Sequence, residues 1–180
     1  MIMKKASTID RRIVRTQKLL IDTLLQLSIE RGYDAVTIQD ITDRANVGRA
    51  TFYSHYESKD QLLLSGHHEL NDILFKEGQQ ELDFLALYNH AKDSYKIARV
   101  LIGYKDGALV LDYIRQVMFD KFKKTKGRGI KASKMHYYTC EAAASAIVRL
   151  LHCWLKDDMP FSPAEMAEKS EEILGAFFER

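Results

Sequence analysis

Between Thr37 and Gln61 the chain carries two helix-start signatures with a tight turn between them, and this spacing constrains the fold more than any other feature. Thr37-Ile38-Gln39-Asp40 matches a capping box, with Thr37 as N-cap and an acid three residues on. Ile38, Ile41 and Ala45 follow at helical spacing, and Asn46-Val47-Gly48 breaks the run and turns the chain. Arg49 to His55 fits a second short helix. Ser58-Lys59-Asp60-Gln61 is another capping box, with Ser58 and Gln61 as the reciprocal pair. It predicts a long helix running through Leu63, Leu70, Ile73 and Leu74.

The flanking sequence has the same character. Ile13, Leu20, Leu24 and Leu27 share one face of a helix expected from about Asp10 to Arg31, with Val14, Ile21 and Leu25 beside it and Gly32 as its stop. Further helices are expected over about 82–102, 107–122 and 133–157, and a last one after Ser162-Pro163-Ala164-Glu165, an N-cap with Pro at N1. The helix over 133–157 is apolar nearly all round, from Ala142 to Trp154, and must be covered on more than one side. Lys121 to Lys134 holds seven basic residues, two glycines and no acid, and reads as a solvated loop rather than a second nucleic-acid surface. With only two prolines in 180 residues, the expected class is all-α.

Charge narrows the function classes only slightly. The net charge of +2 implies no partner by itself, but residues up to Lys59 hold ten basic side chains against seven acids. Cys140 and Cys153 fall in one predicted helix, too far apart along its axis for a disulfide, and read as reduced structural thiols. His67-His68-Glu69 lacks the i, i+4 histidine pair of a helical metal site. Neither metal nor cofactor is expected, and no paired acid and base, nucleophile motif or phosphate-cradling loop suggests an enzyme. Without a membrane span or a signal-like amino terminus, the expected location is the cytoplasm.

Two short helices joined by a tight turn have the layout of a helix-turn-helix, whose second helix enters the major groove of DNA. Ile38, Ile41, Ala45, Val47, Phe52 and Tyr56 can form a small core with the first helix. Arg49, Ala50, Thr51, Tyr53 and His55 are then left to point outward. Arg49 suits guanine O6 and N7 or a phosphate, and Ala50 and Thr51 are small enough to let a helix sit deep. Thr37 and Lys59 stand at helix amino ends, where the dipole favours an anion.

The run from Val36 to Ile41 and from Asn46 through Val47, Gly48, Arg49, Ala50, Thr51, Phe52, Tyr53, Ser54, His55, Tyr56, Glu57, Ser58 and Lys59 to Leu62 resembles the signature of the TetR/AcrR family. The resemblance implies phosphate contacts at Thr37, Tyr53, His55 and Lys59 and base contacts near Arg49 to Thr51. Gly48 departs from it, because the family often has Ser or Thr as that N-cap. The resemblance implies a helix-turn-helix DNA-binding domain over 1–58 and a helical effector-binding and dimerisation domain over 59–180. Trp154-Leu155 with the stretch Pro160 to Ala167 also resembles a subgroup like dihydroxyacetone-kinase regulators.

The expected function is therefore that of a sequence-specific transcriptional regulator, a repressor, binding a palindromic operator as a homodimer and modulated by a small molecule or a protein. A single recognition helix covers only half of a two-fold operator, and Ala142 to Ala146 with Gly175 would permit close helix approach between subunits. The alternative is a helical interaction module or co-activator of the same fold that acts through a partner protein. Tyr88, Tyr95, Tyr104, Tyr113, Met118 and Trp154 are equally candidates for an effector pocket or for plain core.

Overall fold

The structure, a computed structural model, describes residues 11–66, 82–103, 107–125 and 133–178. Among these residues it contains nine α-helices and no strand. Two compact units divide the chain, the first ending at Gly66 and the second starting at His67.

In the first unit, α1 (Arg11–Arg31) packs against α2 (Ile38–Ala45) and α4 (Lys59–Ser65), while α3 (Arg49–Tyr53) follows α2. Leu20, Leu24 and Leu27 recur along α1 at intervals of four and three, and all are buried. Ile41, Phe52, Leu62 and Leu63 on the other helices of the unit are each fully buried as well. Thr23 and Ser28 lie on the same buried stretch, each donating its hydroxyl to the carbonyl four residues back, at 2.7 Å. The expected apolar face is shorter than the pattern suggested. Ile13 and Val14 are exposed, and no residue of α1 before Leu20 is buried, so the buried positions of this helix run only from Leu20 to Ser28. Gly32 ends α1 at a φ of 84°, a left-handed conformation that favours glycine.

The first unit takes in more chain than residues 1–58, since α4 packs on α1 and Gly66 follows it. A Cβ on Gly66 would come within 2.7 Å of the Ile21 side chain, so the missing side chain lets the chain pass close to α1. Leu70, Ile73, Leu74 and His67-His68-Glu69, expected to continue from α4, lie outside the described residues.

The second unit is built on α8 (Lys134–Lys156), which packs against α6 (Tyr95–Gly103), α7 (Gly107–Thr125) and α9 (Pro163–Phe178). Three neighbours explain why α8 is apolar over most of its circumference; Ala142, Ser145 and Arg149 remain exposed. The single helix expected over 82–102 is instead two, α5 (Phe84–Asp93) and α6, separated at Ser94. Phe84, Leu87, Tyr88 and Ala91 are buried on α5, which packs on α9, whereas α6 faces α7 and α8. One straight helix cannot serve both sets of neighbours. Helix α7 also runs past Phe122 to Thr125, taking in the start of the basic run expected as a loop. Phe122 is buried there, and Lys123 and Lys124 suit a helix carboxyl end. Residues 126–132 lie outside the described set.

Among the described residues no buried side-chain nitrogen or oxygen lacks a hydrogen-bond partner. The Tyr88 hydroxyl and Ser170 Oγ lie 2.9 Å apart, and Ser170 also bonds the Met166 carbonyl. The Trp154 ring stands edge-on to Tyr88 at 5.2 Å and its indole N–H donates to the Phe161 carbonyl at 2.9 Å. Both cysteines are free, Cys140 buried and Cys153 half-buried.

Candidate nucleic-acid interface

The surface begins at the amino end of α2. Thr37 Oγ1 accepts from the Asp40 amide at 3.1 Å, and the Asp40 carboxylate accepts from the Thr37 amide at 2.8 Å, completing the expected box. Arg31 joins the same carboxylate at 2.9 Å. The bonds from Thr37 and Arg31 hold the Asp40 carboxyl at about 2, well below its usual value. A second tie between α1 and α2 is the two-pronged pair of Arg44 with Glu30, both contacts at 3.0 Å. These pairs are exposed, so they fix register more than they add stability.

At the other end of α2, Asn46 takes a left-handed conformation and the Val47 amide donates to the Thr42 carbonyl at 2.9 Å. That turn delivers Gly48 as the N-cap of α3, with φ −64° and no side-chain bond to the helix. Phe52, fully buried, and Tyr56, at the next turn, face the core with ring centroids 5.9 Å apart. With these two rings anchored inward, the remaining positions of this short segment must turn out. Arg49, Ala50 and Thr51 are exposed, Tyr53 is 57% exposed with its ring edge-on to Phe52, and His55 is half-buried beside Tyr56. Arg49 has no acidic partner among the described residues, unlike Arg31 and Arg44.

The second expected box is only half formed. Ser58 Oγ accepts from the Gln61 amide at 3.1 Å, but the Gln61 side chain bonds the Glu57 amide rather than that of Ser58. Lys59, expected at a phosphate, is half-buried. Its Nζ donates to the Tyr33 and Val36 carbonyls at 2.8 and 2.9 Å and lies 4.1 Å from the centre of the Tyr33 ring. The Tyr33 hydroxyl donates to Asp60 at 2.5 Å. Sequence reading did not find this cross-link, because Tyr33 and Lys59 are 26 residues apart; the only signal was an aromatic residue directly after the Gly32 stop.

In the second unit a pocket of about 530 Å³ opens between α8 and α9. Leu150, Cys153, Trp154, Phe161, Met166 and Ile173 supply most of its wall. Of the five aromatic and Met candidates among the described residues, Tyr88, Tyr95, Tyr113, Met118 and Trp154, only Trp154 lines it. Tyr88 and Met118 are core, and Tyr95 hydrogen-bonds Asp158 on the surface. Tyr104 lies outside the described residues. Among the described residues no group of His, Cys, Asp or Glu side chains could hold a metal. None of the helices among them is long and apolar enough to cross a membrane.

Comparison with known proteins agrees with this geometry. Residues 20–65 match the bacterial regulatory proteins of the tetR family, and residues 81–175 match a transcriptional regulator C-terminal region. YxbF of Bacillus subtilis, named an uncharacterised HTH-type transcriptional regulator, is 46% identical over 61 residues, 33% of this chain and 16% of its own. YvkB of the same organism, similarly named, is 29% identical over 114 residues, 57% of this chain and 58% of its own. KstR2 of Mycolicibacterium smegmatis, named a transcriptional repressor, is 38% identical over 66 residues, 34% of this chain and 32% of its own. The chain thus spans less than two thirds of each of these relatives. A TetR transcriptional regulator from Streptococcus agalactiae has the same fold, with a TM-score of 0.67 at 24% identity, covering 92% of this chain and 96% of that one.

Proposed function

The chain belongs to the TetR family of bacterial transcriptional regulators, which are DNA-binding factors and not enzymes, and from that premise we propose that it is a repressor reading a palindromic operator as a homodimer. The observation that carries the reading is the orientation of α3. Phe52 and Tyr56 hold it down, and Arg49, Ala50, Thr51 and Tyr53 face solvent. Arg49 is assigned to a guanine edge, Ala50 and Thr51 to thymine methyls, and Gly48 to close approach of the helix start. Thr37, Tyr53 and His55 are assigned to the sugar-phosphate rails on either side, where contacts set register without reading sequence. Lys59 stands at the same end of the surface.

Repression is favoured by relatives such as KstR2 that are named repressors. The dimer is favoured by α8, whose Ala142 and Ser145 are small, exposed and on the side its three neighbours leave open. Residues 1–58 carry the reading head in this proposal, and the rest carries dimerisation and the response to an effector in the cytoplasm. The effector is a small molecule or a partner protein that engages the second unit. It shifts the separation of the two heads by as much as its affinity differs between the two arrangements. An interaction module that had lost DNA binding would have no use for an exposed Tyr53 beside an Arg49 with no acidic partner among the described residues.

Footprinting of the full chain on DNA upstream of its own gene tests the reading. Two protected half-sites with centres about 34 Å apart are expected. No retardation on that DNA or on neighbouring promoters at low salt would overturn it. Ser145→Arg should give monomers in analytical ultracentrifugation and lose operator binding; a dimer that persists would move the subunit interface elsewhere.

A further inference from the structure

The ammonium of Lys59 is already committed. Two of its three N–H donors serve the carbonyls of Tyr33 and Val36, at 2.8 and 2.9 Å, and its charge lies 4.1 Å from the centre of a ring that is itself buried. Bonds from a cation to a carbonyl are stronger than neutral ones, so drawing Lys59 out to a phosphate would first break two of them. The two carbonyls bracket the turn from Tyr33 to Val36, which the Val36 amide closes onto the Tyr33 carbonyl at 3.1 Å. Thr37 is the next residue. The same turn is tied from its other side by the Tyr33 hydroxyl on Asp60, the neighbour of Lys59. The first turn of α4 therefore holds, through two adjacent side chains, the segment that sets where α2 begins.

We infer that Lys59 is a positioning residue, acting on DNA affinity through the Tyr33–Val36 turn that carries Thr37 rather than by meeting a phosphate itself. The inference rests on the DNA-binding reading above and departs from it at this one residue. Losing a phosphate contact made by a charged group reduces the number of counterions released. Losing the placement of an uncharged Thr37 does not.

The test uses the full chain and its footprinted operator, with Lys59→Met and Lys59→Gln, the latter dropping the charge while keeping a donor. Affinity is measured from 50 to 300 mM salt, at a temperature where circular dichroism shows each variant folded. Lys59→Met should weaken binding about tenfold on operator and random duplex alike, while the slope of log affinity against log salt stays at the wild-type value. Thr37→Ala should weaken wild-type binding about tenfold but the Lys59→Met background less than twofold, a coupling that a general loss of stability would not produce. Should Lys59→Met not fold, Lys59→Gln carries the same slope and coupling measurements. A slope smaller by about 0.9 in either variant, the loss of one neutralised phosphate, overturns the inference, as does full additivity with Thr37→Ala. If wild-type protein retards no DNA, the DNA reading falls and the inference with it. If wild type binds and the slope drops, the inference falls alone.

Discussion

The two units of this chain are held together by different kinds of interaction. In the first, position after position is fixed by a bond that has one partner and one geometry: Thr37 with Asp40, Arg31 with Asp40, Arg44 with Glu30, Lys59 with two carbonyls. The second is held mainly by apolar helix faces, with Tyr88 and Ser170 as a buried polar pair among them and fewer ionic ties, Arg115 with Glu141 between α7 and α8 and Arg99 with Asp158. A short helix proposed to present four side chains to a duplex gains from being located atom by atom. A bundle to which dimerisation and an effector response are assigned only by the proposal above needs its helices to stay packed, and apolar faces permit some sliding.

If that contrast is real, the units should fail separately. Phe52→Ala and Trp154→Ala each remove a buried aromatic side chain and should each cost about 3 to 5 kcal/mol. In calorimetry Phe52→Ala should lower one transition and Trp154→Ala another. If both move a single common transition, the two units fold as one and the contrast is broken. Gly66→Val comes next, at about 1 to 3 kcal/mol, because its Cβ would overlap the Ile21 side chain and part α4 from α1. That loss should appear in the head's transition alone.

Legibility divided along the same line. Thr37, Asp40, Gly48 and Ser58 could be placed from sequence because a cap is a local rule: the partner lies three residues away. Phe52 and Tyr56 pointing inward follow from their spacing of four. The Lys59–Tyr33 link was invisible because nothing local pairs those two, and a lysine at a helix start reads as free charge. In the second unit the break at Ser94 was missed because the apolar pattern on either side keeps helical spacing. The reason for the break is that α5 and α6 have different neighbours, a tertiary fact. Pocket-lining residues were unreadable for the same reason, since an apolar side chain on α8 or α9 looks alike whether it meets a neighbour or a cavity.

A smaller effect probes the buried polar pair. Tyr88→Phe removes the hydroxyl that meets Ser170, while Ser170 keeps its bond to the Met166 carbonyl, so no buried group is orphaned. The expected cost is about 1 kcal/mol in the second unit's transition. A cost several times larger would mean that this unit, too, depends on one specific bond.

Acid should separate the units by steepness of slope. The Asp40 carboxyl is held at about 2, from an ordinary 3.8, and Glu30 is lowered by its bond to Arg44. A carboxylate lowered on folding contributes stability that is complete above its ordinary value and is lost as pH falls through the lowered one. The head should therefore lose stability from about pH 4 downward to about pH 2. In the second unit Glu165, bonded to Ser162, is lowered in the same sense, but it caps one helix and ties no two helices together. Thermal scans from pH 5 to pH 2.5 should show the head's transition falling more steeply, and Asp40→Asn should flatten it. Parallel slopes would mean that these exposed pairs fix register and add no measurable stability.

The smallest effect concerns the side-chain cap that α3 lacks. At Gly48 the backbone has φ −64°, open to any residue, and an added Cβ would find its nearest neighbour at 3.9 Å, in Thr51 Oγ1. Gly48→Ser should therefore fit without strain, accept a bond from an amide of the first turn of α3, and raise the head's stability by a few tenths of a kcal/mol. If Gly48 serves only as a cap, operator affinity should hold or rise with that stability. If the helix start must approach DNA more closely than a serine allows, stability rises while affinity falls. That split, read from melting and gel shift on the same preparation, would show that a head fixed atom by atom leaves one position uncapped for the sake of contact.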